Sequence, residues 1–503
     1  MLRKIRLTFA IFFFVLITLL FLDFTGTLHG WFGWMAKIQF LPAVLALNVG
    51  VVIALIVLTL LLGRVYCSVI CPLGVFQDVA AWLGKKQKKN RYSYSPALNW
   101  LRYGVLAVFA LALVGGVGSL AALLAPYSAY GRIASNLFAP LYQWGNNLLA
   151  YLAERADSYM FYSVDVWVKS VGTFAVAALT FVILAVLAWR NGRTYCNTIC
   201  PVGTVLGFLS RFSLLKPVID TSKCNSCGLC ARNCKASCID SANHKIDYSR
   251  CVACMDCLGK CKKGAIRYER PRKQVQPSSA AAGKADSGQA TEKVDNARRA
   301  FFSAGTMFAA TTLLKAQEKK VDGGLAVIED KKILERATPI YPAGSLGARH
   351  FTQHCTACQL CVSVCPNQVL RPSGNLLTLM QPEMSYERGY CRPECTKCSE
   401  VCPAGAIRPI SLADKSSTQI GHAVWIKKNC VPLTDGVECG NCARHCPSGA
   451  ITMVLSDVED DKSPKIPVVN VERCIGCGAC ENLCPARPFS AIYVEGHERH
   501  RVI

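Results

Sequence analysis

Twenty-nine cysteines dominate a chain of 503 residues, and most fall into four-member runs. Cys224, Cys227, Cys230 and Cys234 repeat as Cys251, Cys254, Cys257 and Cys261. Both runs have the C-x2-C-x2-C-x3-C spacing. Three thiolates two residues apart can wrap three iron corners of one [4Fe–4S] cube, while the fourth closes a second cube. One ligand set is therefore Cys224, Cys227, Cys230 and Cys261, and the other Cys251, Cys254, Cys257 and Cys234. Zinc also takes four cysteines, but zinc knots seldom exchange their fourth ligands. A disulfide framework suits short secreted chains, not one of this length.

Four further runs follow: Cys355, Cys358, Cys361 and Cys365; Cys391, Cys395, Cys398 and Cys402; Cys430, Cys439, Cys442 and Cys446; Cys474, Cys477, Cys480 and Cys484. Pro366, Pro403, Pro447 and Pro485 follow the fourth cysteines, as in bacterial ferredoxins. The first and last of these runs are regular and the middle two are not. Nested pairing is expected, with sets Cys355, Cys358, Cys361, Cys484; Cys474, Cys477, Cys480, Cys365; Cys391, Cys395, Cys398, Cys446; and Cys430, Cys439, Cys442, Cys402. Tandem pairing is the alternative. Six [4Fe–4S] clusters result. Cys238 is left as a buried thiol, or as the fourth ligand in place of Cys234.

A second repeat lies upstream. GRVYCSVICPLG (63–74) and GRTYCNTICPVG (192–203) share eight of twelve positions. Each copy follows the second helix of a helix pair, which suggests a pseudo-twofold axis along the membrane normal. That axis would gather Cys67, Cys71, Cys196 and Cys200 into a redox or metal centre.

These cysteines must be carried by two kinds of structure. Apolar runs at about Leu7–Phe24, Leu41–Leu62, Tyr103–Ala125 and Val171–Trp189 are long enough for a bilayer core of roughly 30 Å. Lys and Arg cluster at the N-terminus, after the second run and after the fourth, which sets those ends in the cytoplasm. The net charge of +23 is explained by such loops, so nucleic acid is not expected. His29, among Trp31 and Trp34, is the candidate proton acceptor for a quinol. The expected class is multi-domain: an α-helical membrane domain of four spans plus α+β ferredoxin domains. Its parts are 1–220 (membrane), 221–270 (two clusters), 271–297 (linker), 298–316 and 317–503 (four clusters). Arg298, Arg299 and the apolar run after them read as a twin-arginine export segment or a fifth helix.

The first 270 residues resemble the membrane iron–sulfur subunit (NapH-like) of the quinol dehydrogenase serving periplasmic nitrate reductase. Residues 298–503 resemble its four-cluster partner (NapG-like). The resemblance implies a protein of the bacterial inner membrane, in contact with lipid and quinone. It would take electrons from quinol and relay them to a cytochrome or terminal reductase. The two-cluster domain would be cytoplasmic and the four-cluster domain periplasmic. A redox sensor or metal-centre maturation factor, and a wholly cytoplasmic wire running toward quinone, are the alternatives.

Overall fold

A computed structural model describes residues 1–87, 92–271, 321–322, 326–327 and 331–503. Arg298, Arg299 and the apolar run that follows lie outside the described residues. The chain forms two compact units. One comprises Met1–Pro271, Ile333–Ala486 and Ser490–Ile503; the other comprises Arg272–Lys332 and Arg487–Phe489. In the smaller unit Val321–Asp322 pairs with Ala326–Val327, and Lys332 N–H donates to Pro488 O.

The larger unit begins with helices. Leu2–Leu22 and Val171–Asn191, of 21 residues each, are long and apolar enough to cross a membrane. The two other expected spans are broken. Phe40–Leu45 and Val49–Leu62 are separate helices. Leu47, at φ 53°, leaves the helical region, and the Asn48 side chain then caps the second helix by accepting from Val51 N–H. Asn99–Val114 and Gly118–Leu124 are divided at Gly116, φ 73°. Apolarity alone registered these stretches as continuous, because it does not see a left-handed residue.

Val49–Leu62 and Val171–Asn191 both end at glycines, Gly63 and Gly192, in positive φ. At Gly192 no other residue fits: a Cβ would stand 2.4 Å from Lys235 O.

The cysteine-rich parts are built from short hairpins, consistent with α+β ferredoxin domains. Lys216–Ile219 pairs antiparallel with Ile266–Glu269 and closes the two-run domain, so that domain starts before residue 220. In the four-run domain Leu370–Pro372 pairs with Pro382–Met384, and Ile451–Leu455 with Lys465–Val469. Thr418–Trp425 and Ile492–Val502 form its longest ladder.

The two cysteine-rich domains dock on opposite ends of the helices. At one end Leu214 and Leu215 N–H donate to Leu60 and Leu61 O, and Arg3 pairs with Asp256 at 2.8 Å. At the other end Lys397 Nζ donates to Thr25 O at 3.2 Å, and Asn136 Nδ2 to Gln359 Oε1 at 2.8 Å. Helix Leu2–Leu22 runs between these ends. So does Val171–Asn191: Lys169 Nζ reaches Val362 O at 3.3 Å, and Arg193 N–H reaches Lys235 O at 2.9 Å.

Candidate iron–sulfur sites

In the two-run domain the first run ends in the four-residue helix Leu229–Arg232, with Cys224 and Cys230 half-buried and Cys227 exposed. Cys224, Cys227 and Cys230 lie within electrostatic reach of one another. Asp220 N–H donates to Ala265 O at 2.8 Å, which brings the chain around Cys261 beside the first run. Cys234, Cys251, Cys254 and Cys257 line one cavity, together with Cys238. Cys238 Sγ stands 3.5 Å from Cys234 Sγ and also hydrogen-bonds Cys251.

In the four-run domain the groups are tandem, not nested. Cys430, Cys439, Cys442 and Cys484 line one cavity, and Cys446, Cys474, Cys477 and Cys480 another. Upstream, Cys355, Cys358 and Cys361 face Cys402. Cys391, Cys395 and Cys398 face Cys365. The nested sets, with Cys484 beside Cys355 and Cys446 beside Cys391, do not form. The cause is local: a hairpin inside each pair of successive runs, Leu370–Met384 and Ile451–Val469, turns the chain back, so the two runs of a pair exchange their fourth cysteines. The irregular gaps are loop length. The wide Cys430–Cys439 gap holds the short helix Val431–Thr434.

The donor chemistry fits iron–sulfur cubes. Burial pushes the Cys254 thiol up to about 12, and Asp256 adds to it. Burial also takes Cys477 to about 12 and Cys442 to about 11. Thiolates massed in apolar surroundings need a bound cation to be formed together, and iron–sulfur cubes are one such partner.

The helical domain gathers Cys67, Cys71, Cys196 and Cys200, which act electrostatically on one another. All four are buried and none is in a disulfide. Arg64 Nη2 donates to Cys196 O (3.1 Å) and Arg193 Nη1 to Cys67 O (2.6 Å), so each copy's arginine serves the other copy. Sequence reasoning passed over these arginines, although both are among the identical repeat positions. It also missed Asp78, buried between Arg6, Arg193 and Lys235.

His29 is held by Asp23. Nδ1 stands 3.3 Å from Asp23 Oδ2, both side chains are buried, and Nε2 is buried with no hydrogen-bond partner among the described residues. Asp23 is fixed in turn by the N–H groups of Thr25, Gly26 and Leu28. The placement of an aspartate at the end of an apolar run was the missed signal.

Residues 44–90 and 173–219 match a family model described as a 4Fe-4S binding domain, and 354–417 and 437–487 match a 4Fe-4S dicluster domain. The chain is 30% identical to the methylamine utilization ferredoxin-type protein MauM of Methylobacillus flagellatus over 152 residues, and to that of Methylophilus methylotrophus over 172. These stretches cover 64% and 72% of the relatives and 29% and 32% of this chain. It is 29% identical to the ferredoxin-type protein NapF of Escherichia coli over 182 residues, 99% of that protein and 35% of this one. No solved structure matches.

Proposed function

Since the chain belongs to the ferredoxin-type 4Fe–4S electron-transfer family of MauM, we propose that it is a membrane-anchored quinol dehydrogenase subunit, built like a NapH-like protein fused to a NapG-like one, that passes electrons to a cytochrome or terminal reductase. Six tandem-paired sets of four cysteines would hold its [4Fe–4S] clusters, each of which, when bound, supplies one-electron chemistry.

One observation carries this reading. The two cysteine-rich domains sit at opposite ends of helix Leu2–Leu22, whose 21 residues extend about 32 Å. That length equals the bilayer core of roughly 30 Å. With the Lys- and Arg-rich ends in the cytoplasm, residues 216–270 are cytoplasmic and the four-run domain is periplasmic. A wholly cytoplasmic wire would need both domains at one end.

The chain's own residues have three tasks: to bind quinol against the apolar helices, to take its protons, and to hold the cysteines. His29 suits the second. Asp23 fixes its Nδ1 and orients the ring, leaving Nε2 to receive a proton from a quinol hydroxyl at the outer end of the bundle.

The test has two parts. A protease-cleavable tag after Ile503 should be accessible in spheroplasts, and protection would exclude the periplasmic placement. A quinol analogue should bleach the visible absorbance of the anaerobically purified chain. His29→Gln should slow that bleaching by about 10²–10⁴-fold while leaving dithionite reduction unchanged. Wild-type speed in the variant would remove His29 from the site.

A further inference from the structure

The four thiols of the helical domain are not used by the six ferredoxin sites. Each copy of the repeat supplies only two cysteines, although each matches a 4Fe–4S binding model. We propose that Cys67, Cys71, Cys196 and Cys200 together hold one further iron–sulfur cluster of the tetrathiolate class, with Arg64 as its counter-cation. This rests on the reading of the chain as a 4Fe–4S electron-transfer protein.

The two copies are locked around one axis. A Cβ on Gly74 would stand 2.2 Å from Cys67 O and 2.9 Å from Arg193 Nη1. A Cβ on Gly203 would stand 2.4 Å from Cys196 O and 2.9 Å from Arg64 Nη2. Each glycine thus makes room for the arginine of the other copy. Such reciprocity fixes four sulfur atoms relative to one another, which two independent helix-ending turns would not need.

Donors are aimed at the sulfurs. Gln77 Nε2 lies 3.3 Å from Cys196 Sγ, Gly203 N 3.3 Å from Cys200 Sγ, and Arg64 Nη2 3.8 Å from Cys67 Sγ. Hydrogen bonds of this kind favour thiolate and tune a bound centre.

Charge gives the strongest argument. Arg64 is 0% exposed, and its oxygen partners are Asn197 Oδ1, Ser249 O and Cys196 O, none of them charged. A guanidinium stays charged in proteins, and a buried charge without an opposite one is strongly destabilising. Arg193 has Asp78. For Arg64 the negative charge at hand is that of thiolates: Cys67, 3.8 Å from its Nη2, and Cys196, with Cys251 of the two-run domain also within electrostatic reach.

The site also lies between the two cysteine-rich domains. Asn197 Nδ2 donates to Ala236 O in the two-run domain at 3.2 Å. On the other side Arg132, 0% exposed, acts electrostatically on both Tyr195 and Cys358 of the four-run domain.

The test uses the full chain purified anaerobically, with the double variant Cys67→Ser/Cys196→Ser taking one thiol from each copy. Iron and acid-labile sulfide should fall together, by about two or four per chain for a two- or four-iron cluster, and one low-temperature spin-resonance signal should vanish while the others persist. Unchanged iron, zinc in place of iron, or a disulfide among these cysteines would overturn the proposal. Arg64→Gln keeps every thiol and guards against a folding failure. It should retain all the iron and shift that signal to a more negative midpoint by more than the cluster of Cys251, which Arg64 also reaches; an unmoved midpoint counts against the assignment. Wild-type chain with no iron at all would sink the ferredoxin reading itself.

Discussion

Gly131 is a point of close approach between the four-run domain and the helices. A Cβ there would stand 2.4 Å from the Cys358 carbonyl oxygen and 2.9 Å from the Phe21 ring. Gly131→Ala sets two effects against each other. Alanine gains about 1 kcal/mol over glycine in a helix, and overpacking costs about 1–3 kcal/mol. The oxygen belongs to the backbone of a cluster loop and cannot swing aside, so the steric cost prevails by up to about 2 kcal/mol. At 1.4 kcal/mol per decade, docking weakens by up to roughly 30-fold. Gly131→Leu exceeds what the contact can absorb and separates the surfaces. Gly145→Ala, where nothing lies within 4 Å, is the matched control. Hydrogen exchange on the full chain should show graded loss of protection over 118–133 and 348–364 from alanine to leucine, and none in the control. Wild-type protection in Gly131→Leu would refute the contact, and the opposite-end arrangement would lose its support.

Other perturbations follow from buried charge and spare sulfur. Burial alone would raise the Asp78 carboxyl, but Arg193, Lys235 and Arg6 hold it far below the usual carboxylate range. Its stabilisation is therefore present above about pH 4 and lost on acidification below that; Asp78→Asn should cost about 3–5 kcal/mol and flatten the acid limb of a melting profile. Cys238→Ser should keep wild-type iron, whereas Cys251→Ser should lose about four iron atoms; equal losses would make Cys238 the fourth ligand instead of Cys234. Burial, then His497, holds His500 at about 4. Its stabilisation is present above about pH 6.5 and falls by about 2–3 kcal/mol as pH drops toward 4, a slope that His500→Gln should abolish in denaturant titrations.

The cysteine sites were legible because ligand spacing is dictated by the cube and survives in the sequence. Their pairing was misread because gap regularity was taken as a code, when Cys391–Cys395 and Cys430–Cys439 only lengthen loops. Convergence of the two repeats was legible from identity at eight of twelve positions, but the reason for Arg64, Arg193, Gly74 and Gly203 was not. Their roles exist only between copies, across 129 residues of chain from 63 to 192. Docking at Gly118, where a Cβ would stand 2.7 Å from Thr352 O of the four-run domain, and at Gly131 left no trace in composition, since a glycine required by a neighbouring backbone looks like any other.

The broken spans follow from the same geometry. Tyr66 and Tyr195 occupy equivalent positions in the repeat, and each pins the short helix of a broken span at the end away from the break. Tyr66 Oη donates to Gln39 Oε1 at 3.0 Å and accepts from Phe40 N–H at 3.1 Å, at the start of helix Phe40–Leu45. Tyr195 Oη donates to Leu124 O at 3.0 Å, at the end of helix Gly118–Leu124. Two residues on, Pro126–Ile133 begins, and it carries Gly131 against Cys358. In the proposed membrane arrangement, an unbroken span would set the thiols of the repeat roughly 30 Å from the outer surface. Folding the outer segments inward lets one stretch, Leu124–Arg132, touch Tyr195 at one end and the first run of the four-run domain at the other. Continuity of the helix is given up where a short connection between the two cysteine sites is gained.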